Sequence, residues 1–133
     1  MQIILEFPDE IQEPCISQEF LQGLLDRMAV SYFKYGPVTS ESISRRDMRA
    51  TTQLRFDKYH TDHNTEWLMD VANFCMIEFM CPAYPDAHFR PTDSDESPGV
   101  VTALGQITHK HVRDLPPADS QRRDIEARTL EGE

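Results

Sequence analysis

The sequence predicts an all-α fold, with a core of three helices, a short extended arm before it and a weakly structured polar tail after it. Three observations predict this. Apolar residues recur at helical spacing in three successive stretches between residues 16 and 81. Each stretch is bracketed by residues that cap or break helices. Six of the nine prolines fall in residues 82–133, where apolar residues are too sparse to offset the entropy of ordering.

In chain order, residues 1–15 come first as an arm, in which Ile3, Ile4, Leu5 and Phe7 suit a short strand or an extended segment and Pro8 punctuates it. The first helix follows Ser17, a good N-cap, and carries Phe20, Leu21, Leu24, Leu25, Met28, Tyr32 and Phe33 up to the stop at Gly36-Pro37. Gly23 inside it costs about 1 kcal/mol relative to Ala, which points to a close neighbour there. Thr39–Ser44 reads as a loop. The second helix is expected from near Arg45 to Tyr59 with the stripe Met48, Thr52, Phe56 and Tyr59, and His60 to His63 reads as a turn.

Asn64 or Thr65 caps the third helix, which Pro82 terminates. It is apolar around most of its circumference, so it is expected at the centre of the packing, with Trp67, Phe74, Cys75 and Phe79 on its packed side. A core this short leaves much of that helix uncovered, and a homodimer would cover it. In the tail (residues 82–133), Val100 to Ile107 suits a short ordered element and Asp119 to Leu130 a marginal helix.

The formal net charge is −10, and it is segregated along the chain. Residues 1–26 carry six acids and no Lys or Arg; residues 27–58 hold seven bases against three acids; residues 59–133 hold fourteen acids against six bases. The overall field opposes direct binding to nucleic acid or to anionic membranes. No apolar run reaches the roughly 18 residues that span a bilayer, and the N-terminus lacks the basic start of a signal peptide. Cys15, Cys75 and Cys81 are odd in number and lack CxxC spacing, which suits reduced thiols and a cytoplasmic location.

One place stands out for chemistry. Glu66, Asp70 and Asn73 are spaced to share one narrow face of the third helix, and two carboxylates one turn apart beside an amide can offer oxygen ligands to Mg²⁺. Glu19, Gln22 and Asp26 form a second polar line on the first helix, which would join the first if the two helices packed antiparallel with those lines facing. Arg45, Arg46, Arg49, Arg55 and Lys58 supply guanidinium and ammonium groups suited to phosphate. Each of these lines equally suits an ordinary solvated helix face. His60, His63, Cys75 and Cys81 include zinc-ligand types, but their spacing is poor for a tetrahedral site.

The stretch Tyr32-Phe33-Lys34-Tyr35-Gly36, then Leu54-Arg55, then Asn64 to Phe74 resembles MazG-like proteins. More closely, it resembles their relatives, the nucleotide-modification-associated domains. The likeness covers about half the chain; as a whole the sequence also resembles small actinobacterial proteins. The MazG-like resemblance implies an oligomeric helical fold that binds nucleoside phosphates through Mg²⁺, with possible hydrolysis of a triphosphate to monophosphate and pyrophosphate. Carried over, Glu66 and Asp70 would hold metal with Glu19 and Asp26 as helpers, Arg45 and Arg49 would clamp phosphate, and Asn73 and Lys34 would support them. The family's early E-x-x-E is Glu19-x-x-Gln22 here, and its later E-x-x-D is E-x-x-x-D, so one carboxylate is lost and another displaced. The competing expectation is a non-enzymatic acidic interaction protein, an accessory factor or inhibitor from a mobile element, that docks on a partner protein and orders its tail there.

Overall fold

The structure, a computed structural model, describes residues 1–11, 15–110 and 114–131. The chain is mainly helical and divides into two units, Met1–Ala87 and His88–Glu133. The first therefore extends beyond residue 81, where the change in composition places the end of the core.

The first unit begins with an arm without regular structure, closed at its end by a turn in which Ile11 N donates to the Pro8 carbonyl (3.3 Å). Helix α1 (Gln18–Tyr35) starts where Ser17 Oγ accepts from Phe20 N and stops at Gly36, whose φ of 82° is open to glycine without strain. The stretch expected as a loop instead forms a one-turn helix, α2 (Ser40–Ser44). Its cause is a reciprocal capping box, in which Thr39 Oγ1 accepts from Ser42 N while Ser42 Oγ accepts from Thr39 N.

Helix α3 (Met48–Asp62) begins and ends later than the sequence pattern indicates. Asp47 accepts from Ala50 N and so starts the helix after Arg45 and Arg46. His63 ends it in the left-handed conformation, with φ 62°. The expected turn at His60–His63 is therefore mostly helix. Helix α4 (Glu66–Met80) follows at once, and its first amide is capped by Asn64, whose Oδ1 accepts from Glu66 N, while the Thr65 side chain makes no cap bond.

Helix α4 packs against both α1 and α3. Arg27 meets Glu66 and Asp70, and Leu24 meets Asn73, so falling numbers in α1 meet rising numbers in α4 and the two run antiparallel. Gly23 is the close approach: a Cβ there would lie 2.7 Å from Met69 Cε. The buried apolar cluster is small, Ile43, Met48 and Ile77, with Met28, Val38, Phe74 and Cys81 packed partly against it. Much apolar surface stays outside it: Phe33 is 85% and Phe79 80% exposed, so Phe79 is not a core residue, and Cys75, expected in the packed part, is exposed as well. The cause is that nothing in the first unit covers that side of α4.

The second unit holds a 3₁₀ turn (Ser94–Glu96), the antiparallel pair β1 (Val100–Val101) and β2 (Ile107–Thr108), and helix α5 (Ala118–Glu131). Arg90 Nη2 lies 2.7 Å from Glu96 Oε2, and this bond, followed by that from Asp93 N, holds the Glu96 carboxyl below its ordinary value. No helix among the described residues is long and apolar enough to cross a membrane.

Candidate functional site

Two features of the first unit have the makings of a site: a charged cluster between α1, α3 and α4, and a cleft between α2, α3 and the C-terminal half of α4.

The charged cluster centres on Asp70. Arg27 reaches across from α1, placing Nε 2.8 Å from Asp70 Oδ1 and Nη2 3.0 Å from Glu66 Oε1. Arg55, one side chain in from α3, places Nε 4.0 Å from Asp70 Oδ2 and its guanidinium carbon 5.4 Å from the centre of the Phe74 ring. Asp70 is 16% exposed, so these are part-buried charges whose attraction is weakly screened. Asn73, one turn on, is buried and donates from Nδ2 to the Leu24 carbonyl at 3.0 Å. Asn73 Oδ1 and Arg55 Nε are buried without a hydrogen-bond partner.

The structure thus brings Glu66, Asp70 and Asn73 to one helix face, as their spacing requires, but the cations beside the two carboxylates are arginines of this same chain. Glu19 does not join them. At about 1.5 Å of rise per residue it lies about 12 Å along α1 from Arg27, toward the other end of α4. Asp26 is exposed and accepts instead from Gln22 Nε2 at 2.9 Å. No group of three or more His, Cys, Asp or Glu side chains among the described residues is arranged to share a metal ion. Mg²⁺ needs near-octahedral oxygen donors, and a carboxylate pair already shared by guanidinium groups does not fit that requirement.

The cleft has a volume of about 1110 Å³ and opens to solvent. Ile43, Met48, Phe56 and Phe74 give it apolar walls, and Arg46 and Arg49 stand among its lining residues. Arg49, singled out from the sequence, lies there; Arg45 does not, being held on the outside of α2 by Glu41 at 2.9 Å. Arg46, on the short link between the end of α2 and the N-cap Asp47 of α3, lines the cleft in its place. Its guanidinium carbon sits 5.9 Å from the centre of the Tyr35 ring. Lys34 is exposed near the end of α1 and makes no ion pair among the described residues.

Arg27 is the functional candidate that the sequence pattern did not single out. A signal existed: on α1 it falls on the face of Phe20, Leu24 and Met28, so it is a lone cation among the residues turned toward α4.

No protein-family model, no curated protein and no solved structure matches this chain.

Proposed function

We propose that the first unit is a docking module, a non-enzymatic interaction protein whose uncovered helical faces are closed by another protein surface. One observation carries the reading. Helix α4 is the most apolar helix of the chain, yet Asn73 and Ile77 are its only buried residues among those described. Phe33 on α1 and Phe79 on α4 expose most of their rings. Exposed apolar surface on this scale marks a binding face or an aggregation hazard. The uncovered faces suit a partner surface that is apolar at its centre, which a second copy of this chain can itself supply. The three free cysteines fit a reducing, cytoplasmic setting for that encounter.

The double variant Phe33→Glu/Phe79→Glu tests the reading. Both rings are exposed, so the melting midpoint should stay within the range of neutral surface changes, about 0.5 kcal/mol. Concentration-dependent association, followed by light scattering, should be lost. A cooperative loss of stability in the variant would show that the rings are packed within the chain and would contradict the reading.

A second reading, nucleoside-phosphate binding, is favoured by Arg46 and Arg49 at a cleft with aromatic walls. It is the activity class that the MazG-like resemblance implies. The cleft would take a base against Phe56 and Phe74 and phosphate against the two arginines. The Mg²⁺-dependent hydrolysis belonging to that resemblance has no support from Glu66 and Asp70 while Arg27 holds both. Saturable heat on titration of the full chain with a nucleoside triphosphate would move this reading ahead of docking.

A further inference from the structure

We propose that the cleft receives the N-terminal arm of a second copy of this chain, the two copies exchanging arms reciprocally. This goes beyond the docking reading, which concerns the faces around Phe33 and Phe79, and names an occupant for the cleft. The arm is apolar and uncovered: Ile3 is 51%, Ile4 81% and Leu5 68% exposed, so it does not fill the cleft of its own chain. In an extended segment alternate side chains point to opposite sides. Ile3, Leu5 and Phe7 therefore share one edge, suited to a groove walled by Ile43, Met48, Phe56 and Phe74.

Charge selects the same pairing. The arm contributes Glu6, Asp9 and Glu10 and no Lys or Arg. Arg46 and Arg49 at the cleft have no carboxylate partner among the described residues. The two acids that line the cleft are already engaged, Asp47 accepting from Ala50 N and Glu78 from Ala83 N, both at 2.9 Å. The two cleft arginines thus lack a carboxylate of their own, although Arg46 lies over the Tyr35 ring, and the arm supplies acids flanking an apolar anchor. Every copy carries both the arm and the cleft, so a two-fold exchange fills two clefts at once and closes the assembly.

The cleft supplies its own chemical probe, since Cys75 and Cys81 are among its lining residues. Leu5→Cys in a full-length Cys15→Ser background, under mild oxidation, should give a covalent dimer on a non-reducing gel, abolished when Cys75 and Cys81 are both replaced by Ser. In parallel, sedimentation of the full chain should show a dimer that Ile3→Asp/Leu5→Asp weakens at least tenfold. Those two arm positions are exposed, so the helices should melt unchanged. Reversal at Arg46 and Arg49 to Glu should weaken the dimer likewise, and Glu6→Arg/Asp9→Arg should restore it. An intrachain disulfide in a monomer would overturn the exchange, as would a wild type that stays monomeric. A dimer indifferent to the arm variants but lost in Phe33→Glu/Phe79→Glu would overturn it too, while upholding docking through the helical faces.

Discussion

Asp70 accepts from Arg27 on one oxygen and has the Arg55 guanidinium 4.0 Å from the other, and that arrangement sets what a substitution there should do. Asp70→Asn keeps the shape but leaves Arg27 and Arg55 short of a counter-charge in a part-buried setting. Unfolding in denaturant should show a loss of about 1–3 kcal/mol, the cost of leaving such groups unsatisfied. A neutral or stabilising effect would mean that Asp70 is a repelled carboxylate waiting for a cation. Asp62 permits a test by pH. Its carboxylate accepts from Asn64 N, the largest effect, and from the Trp67 indole at 3.0 Å, and both hold its pKa below the ordinary 3.8. A depressed carboxyl stabilises the folded state above its unfolded value and loses that contribution as pH falls through the folded one. Fluorescence of Trp67, the sole tryptophan, should therefore titrate with a midpoint below 3.8, and Asp62→Asn should remove the transition.

At the scale of elements, the helices were legible where caps and periodicity agreed. Ser17 and Gly36 bracket α1 at both ends, and Asn64 and Pro82 do the same for α4. The reading slipped where a local side-chain bond decides the start: Asp47 for α3, and Thr39 with Ser42 for α2. Those bonds outweigh the apolar stripe, and the stripe alone does not locate them. The packed face of α4 was legible only in part, because a helix apolar all round does not declare which side another element covers. Phe74 and Phe79 separate the two sides. Phe74→Ala should cost about 1.5–3 kcal/mol, since the ring is half-buried against the core and under Arg55. Phe79→Ala should fall within about 0.5 kcal/mol. Equal effects would mean that α4 is turned differently. Gly23→Ala should also be close to neutral, because a helix-propensity gain of about 0.5–1 kcal/mol is set against moving the flexible end of Met69.

For the whole molecule, the division at Ala87 and His88 makes Glu96 the first glutamate cleavage point past the helical unit, whereas Arg90 is followed by Pro91 and resists trypsin. Limited digestion with a glutamate-specific protease should give an N-terminal fragment that ends at Glu96 and still melts cooperatively; collapse of that fragment would show that the first unit needs the second. The candidate site was legible as residue types and not as an assembly. Spacing placed Glu66, Asp70 and Asn73 on one face, but their partners come from helices whose register the sequence does not state. It is this assembly that gives Asp70 a structural role in place of a metal-ligand one. The measurement that bears on that choice most directly is calorimetric titration of the full chain with Mg²⁺ and a pool of nucleoside triphosphates, beside Asp70→Asn. With Arg27 and Arg55 holding Asp70, no saturable Mg²⁺-dependent heat should appear in either protein; Mg²⁺-dependent binding by the wild type that Asp70→Asn abolishes would contradict the structural role assigned to Asp70.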